Sequence, residues 1–152
     1  VKVENQIYEL HIGFSKGRFK TRALATAGRI SNAGALSAAL YADSTGKVTK
    51  QVPERQIGWY VEAGYDVAPL IWKKSRFTLT PWVRYERYNL QDAVSAATGL
   101  AANPALDGTL LTVGLESKPH PNVVIKLDLV HPTNESDKPV SNEIRLGAGF
   151  IY

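Results

Sequence analysis

The chain contains no cysteine and no methionine. Without cysteine there is no disulfide framework, no thiolate zinc site and no thiol nucleophile. The missing methionine includes the first residue, so Val1 is not a translation start. The first residues also lack the basic region and apolar stretch of a signal peptide. The expectation is a processed chain or a piece of a longer one. No apolar run approaches the roughly 18 to 20 residues that a membrane-crossing helix needs, which excludes a helical membrane protein. Charge of one sign is not massed anywhere: 18 Lys and Arg stand among 14 Asp and Glu, giving a net charge of +4. There is no basic tail, so the sequence gives no footprint of nucleic-acid binding.

What the chain does contain is a two-residue alternation from Tyr8 to Tyr152, the period of a β-strand with two unlike faces. Seven segments carry it: residues 6–14, 18–29, 57–67, 76–90, 109–118, 122–130 and 143–152. In the first, Tyr8, Leu10, Ile12 and Phe14 share a face opposite Ile7, Glu9 and His11. In the second, Phe19 and a row of alanines oppose Arg18, Lys20 and Arg22. In the third, Trp59, Val61 and Tyr65 oppose Tyr60, Glu62 and Asp66. In the fourth, Phe77, Val83 and Tyr85 oppose Trp82, Arg84 and Glu86. The last three set Val113 against Glu116, Leu127 against Lys126 and Asp128, and Phe150 against Arg145. One face of each segment carries essentially no charge. Pro81 cannot donate to a ladder and predicts a bulge.

The predicted connections alternate in length. Short ones fall at 15–17, 69–75 and 118–121, and long ones at 31–54, 91–107 and 131–141. Outer-membrane barrels have short periplasmic turns and long external loops. With that orientation Tyr8, Trp59 and Tyr85 gather on the uncharged face near the external rim. Phe14, Phe19, Tyr65, Phe77, Phe150 and Tyr152 gather on it near the periplasmic rim. Two aromatic girdles around an aliphatic band are what membrane interfaces favour. The fold class that follows is all-β: an antiparallel transmembrane β-barrel, with residues 1–152 forming one barrel region.

Seven strands cannot be the whole barrel. Bacterial single-chain barrels close with an even number, and an open edge in lipid leaves backbone groups unsatisfied. Upstream strands are therefore expected. The alternative within this chain is an eighth strand in Ala33–Tyr41. A soluble β-sandwich or lipocalin-like barrel gives similar alternation, but with the apolar face inward and the charged face in water.

Strands three to seven resemble the C-terminal part of Gram-negative porins of the phosphate-selective O and P type. The resemblance rests on Gly58-Trp59-Tyr60-Val61-Glu62-Ala63-Gly64-Tyr65 and Trp82-Val83-Arg84-Tyr85-Glu86-Arg87-Tyr88. It continues through Leu111-Thr112-Val113-Gly114-Leu115, Pro119-His120-Pro121-Asn122-Val123-Val124-Ile125-Lys126 and Arg145-Leu146-Gly147-Ala148-Gly149-Phe150-Ile151-Tyr152. It implies a barrel of about sixteen strands, usually a homotrimer, that passes small anions or other solutes. The closing aromatic resembles the signal read by the barrel-assembly machinery. In phosphate-selective members an arginine ladder and a lysine cluster set specificity. Arg18, Lys20 and Arg22 would form a comparable short ladder, though they do not match the family's residue by residue.

The charged face presents Arg18, Lys20, Arg22, Arg84, Lys126 and Arg145 with Glu9, Glu62, Asp66, Glu86, Glu116 and Asp128. The six cations and six anions nearly cancel, but strand two is basic and strand three acidic. Opposed rows of charge create a transverse field that tunes which ions pass. The same groups could instead tie strands together across a wetted wall. The loops 31–54 and 91–107 could constrict the lumen, with a short helix in Ala93–Ala102. Of the histidines, His11, His120 and His131, no two have metal-ligand spacing. His131 with Ser136 and Asp137 is a weak triad candidate, so no catalysis is expected.

The expected function is an outer-membrane porin with passive diffusion through a charged lumen. No cofactor is implied, and the expected partners are the lipid bilayer, lipopolysaccharide and small solutes or ions. The alternative is a non-conducting barrel anchor in an envelope complex.

Overall fold

The computed structural model describes residues 1–74, 76–136 and 138–150. Its strands are β1 (Asn5–Lys16), β2 (Phe19–Ile30), β3 (Pro53–Tyr65), β4 (Thr78–Val94), β5 (Asp107–His120), β6 (Val123–Asn134) and β7 (Glu143–Phe150). They form one antiparallel sheet in chain order, β1 to β7. The sheet is not closed: among the described residues β1 and β7 each have a single neighbour.

The alternation read from the sequence is the alternation of exposure, with an unusual sign. The apolar positions are the exposed ones: Val113 is 52% exposed, Leu129 54% and Leu146 78%. The charged positions between them on β3 and β4 are half-buried. Among the described residues only Ala33, Ala68, Val130 and Pro132 are buried apolar side chains, so the sheet encloses no apolar core. This is the reverse of a soluble sandwich, which folds its apolar faces against each other.

Several strand ends differ from the sequence expectation. Arg18, predicted to open strand two, sits with Gly17 in a two-residue turn, where Gly17 adopts a φ of 61° that disfavours a side chain. Its carbonyl accepts the Asp66 N–H at 3.0 Å. Asp66 lies just past β3, and its Oδ1 accepts the N–H groups of Ala68 at 3.1 Å and Leu79 at 3.0 Å. Neither residue is a rung of the charged wall; both build the short-turn end. Phe77 precedes β4 rather than belonging to it, tilted against Trp72 with ring centres 5.1 Å apart. Ile151 and Tyr152 lie outside the described residues, and with them the predicted closing aromatic.

Pro81 causes no bulge. The β3–β4 ladder stops at Gly64 opposite Trp82, and the β4–β5 register runs through Pro81 opposite Leu115 unbroken. The missing N–H falls just past the last pair of the β3–β4 ladder, so it removes no rung. Irregularities occur instead between Pro53 and Ile57, and between Ser117 and His120.

The connections at the two ends are less unequal than the sequence suggests. Residues 17–18 and 121–122 are tight turns, but residues 66–77 form a longer segment containing a four-residue helix, Ala68–Ile71. That is as long as the β4–β5 connection, residues 95–106, because β4 runs on to Val94. The place considered for an eighth strand, Ala33–Tyr41, is instead an α-helix. Ala-rich sequence favours helix over strand. The region considered for a second helix contains only a 3₁₀ turn, Ala96–Thr98.

The two long loops are built structures. Ser37, on the helix Ala33–Tyr41, is fully buried, and its Oγ accepts the Val52 N–H at 2.8 Å. Gln51 links the loops, donating to the Ala101 carbonyl at 2.7 Å and accepting from the Thr98 hydroxyl at 2.9 Å. At the loop tip the Asp43 carboxylate accepts from the Thr45 hydroxyl and from the Thr45 and Lys47 N–H groups. These bonds hold it below the usual carboxylate range.

Candidate functional site: the charged face of the sheet

Register turns the charged face into rows that cross the strands. One row runs Gly13, Arg22, Glu62, Arg84, Thr112, Val130, Glu143. The next, toward the short turns, runs Ser15, Lys20, Gly64, Trp82, Gly114, Asp128, Arg145.

Glu62 is the hub. Its Oε1 accepts from Arg22 Nη2 at 2.5 Å and its Oε2 from Arg84 Nη2 at 2.6 Å. Its side chain is only 13% exposed, against 57% for Arg22. Two guanidiniums thus share one covered carboxylate, leaving a net positive charge. Arg84 also lies on the Tyr60 ring, 4.4 Å from its centre, and 5.7 Å from the Trp82 ring, contacts that fix the guanidinium plane. Lower on the wall Lys126 pairs with Glu116 at 2.9 Å, and Lys118 approaches the same carboxylate at 3.8 Å. A cavity of about 280 Å³ opens between these groups, with Lys20, Arg22 and Trp82 on its walls.

Trp82 stands between two glycines in its row. A Cβ at position 114 would fall on the Trp82 indole and on the Asp128 carboxylate, so the ring covers Gly114 closely. The indole Nε1 and Asp128 Oδ1 are both enclosed and both without a hydrogen-bond partner in the structure.

The structure therefore brings together Arg22, Glu62 and Arg84, and separately Glu116 and Lys126. It does not bring Asp128 to its register partner Arg145, which pairs with Glu143 at 2.6 Å. Lys20, Glu86 and Asp128 have no ion-pair partner among the described residues. The opposed basic and acidic strands reduce to one crossed pair, Arg22 with Glu62, since Lys20 faces Gly64. The bridging role of Glu62 and the Trp82 platform were not read from the sequence; the glycines opposite Trp82 were the available signal.

The uncharged face places Tyr8, Trp59 and Tyr85 toward the long-loop end, with Trp59 and Tyr85 in contact at 5.7 Å between ring centres. Phe14, Phe19, Tyr65 and Phe150 lie toward the short turns, and Phe19 faces Tyr65 directly. Arginines do appear on this face at the long-loop end. Arg87 pairs with Asp107 at 2.7 Å, and Arg55 pairs with Asp92.

The weak catalytic set does not assemble among the described residues. The Ser136 hydroxyl donates to Asn134 at 2.7 Å, the His131 ring contacts Asn142, and Asp137 lies outside the described residues. No cluster of metal-ligating side chains occurs among the described residues. No helix there is long and apolar enough to cross a membrane, which says nothing of strands. Comparison with protein-family models, curated proteins and solved structures found no match to this chain.

Proposed function

We propose that this chain is a sector of an outer-membrane β-barrel whose charged face lines a water-filled channel for small solutes, anions among them. The carrying observation is the exposed apolar face on a sheet with almost no apolar core. In water such a face has nothing to cover it. Against lipid tails it needs no cover, while the charged face is satisfied by water inside.

The open edges support the same reading. Seven antiparallel strands leave β1 and β7 running in the same direction. An odd number of further strands closes such a sheet with antiparallel pairs throughout, and the total is then even. A second copy in the same orientation would need parallel seams. The resemblance of residues 58–152 to porins of the O and P type extends this reading to the sixteen-strand class, trimeric and set among lipopolysaccharide.

Transport is passive. The Arg22–Glu62–Arg84 group and the unpaired Lys20 make their part of the wall favour anions, opposed by the unpaired Glu86 and Asp128, and the field is strongest where the lumen is narrow. The chemistry requires no cofactor.

The test is single-channel recording of the protein purified from native outer membranes, together with the strands that close its barrel. Discrete conductance steps that scale with salt, with a reversal potential favouring anions, are the expected result. A membrane-embedded protein without conductance would assign it to the non-conducting anchors. Recovery in the soluble fraction would overturn both readings.

A further inference from the structure

The charged face is not uniformly charged. Toward the long loops it carries Ile7, Leu24, Tyr60 and Tyr88 around a cavity of about 280 Å³. Gly58 lines the cavity, and a Cβ there would meet only ordinary contacts with Arg87, Thr26 and Tyr88, so a side chain can be placed at its floor. A far smaller apolar void, about 150 Å³, holds a benzene ring. Apolar side chains on the water side of a barrel wall serve neither lipid packing nor solvation.

Two charges of opposite sign flank this niche. Glu86 lines it and has no hydrogen-bond or ion-pair partner among the described residues. Two residues along the same strand and on the same face, about 6.6 Å away at Cα, stands Arg84, which lies on the Tyr60 ring and holds Glu62 through Nε and Nη2, leaving its Nη1 for a second carboxylate. An ammonium and a carboxylate on one carbon, each with a charge-assisted contact of about 2.8 Å, span such a gap. An organic anion would meet Glu86 as a repulsive neighbour, and an organic cation would meet Arg84 and Arg22 likewise.

We propose that the niche bounded by Tyr60, Leu24, Ile7 and Gly58 binds the side chain of a zwitterionic, apolar α-amino acid, its ammonium on Glu86 and its carboxylate toward Arg84. This deepens the channel reading and rests on it, since the niche must face water. It assigns the external half of the wall a selectivity that the basic half below it does not have.

The test is calorimetric titration of the detergent-solubilised native protein with four probes: phenylalanine, 3-phenylpropanoate, 2-phenylethylamine and glycine. Phenylalanine is expected to bind at least tenfold tighter than the other three. Glu86→Gln should weaken phenylalanine about tenfold and tighten 3-phenylpropanoate, which loses a repulsive neighbour. Gly58→Leu, which fills the niche without altering a charge, should abolish phenylalanine binding. Preference for 3-phenylpropanoate would make this an anion site, and preference for 2-phenylethylamine a cation site; either overturns the proposal. So does phenylalanine binding that survives Gly58→Leu, or no binding of any probe. Conductance of the same preparation separates the two proposals: a conducting protein that ignores phenylalanine loses the niche alone. A protein that binds phenylalanine but never conducts loses the channel alone.

Discussion

Glu62 carries more than its share of the wall. Among the described residues it is the only acid that Arg22 and Arg84 contact, and hydrogen bonds to charged groups are worth about 1.5–3 kcal/mol when covered, less where water reaches them. Glu62→Gln keeps the volume and removes the charge, leaving two guanidiniums without a counter-ion. The variant should lose about 1–3 kcal/mol of stability in denaturant unfolding. Its channel should become more anion-selective, read as a shift of reversal potential toward the anion limit. An unchanged reversal potential would place this group outside the conducting path.

Each strand presents one charged and one uncharged face, and a single substitution tests what the uncharged face meets. Val113 is half-exposed in the middle of the uncharged face. On a soluble protein Val113→Arg would change stability within about 0.5 kcal/mol. At the middle of a lipid-facing band it should cost about 2–4 kcal/mol, measured by reversible unfolding in lipid vesicles. Strand identity and face were legible in the sequence because a period of two is a local signal. Strand ends were not. Arg18 and Asp66 leave the strand pattern because each is hydrogen-bonded into the short-turn end, a contact between segments distant in sequence. The helix Ala33–Tyr41 has no alternation to read. Glu62 bridging Arg22 and Arg84 depends on the register of three strands, which no single segment encodes.

At the scale of the whole sheet the unpaired edges dominate. Among the described residues the backbone amides of β1 and β7 have partners on one side only, whereas those of β3 and β4 lie between two neighbours. Hydrogen exchange of the isolated chain in micelles should be fast along β1 and β7 and slow along β3 and β4. In the closed protein the edge strands should become protected, and equal protection in both preparations would mean that nothing pairs with those edges. The aromatic levels carry a second consequence. Level with Tyr8 the register meets Ile57, but Trp59 sits two residues nearer the short turns, and Tyr85, opposite Val61, sits four. Level with Phe14 lies Ala63, and Tyr65 is displaced in the same sense. Four residues over three strand spacings is about 13 Å of drift across about 14 Å of sheet. Laid parallel to a membrane, these levels set the strands about 40° from its normal, the inclination that barrels adopt. Arg22, Glu62 and Arg84 are then not a ring but a ramp. Arg84 stands about 6 Å nearer the long-loop side than Arg22, and in the proposed channel a descending ion would be handed from one guanidinium to the next as on a spiral stair.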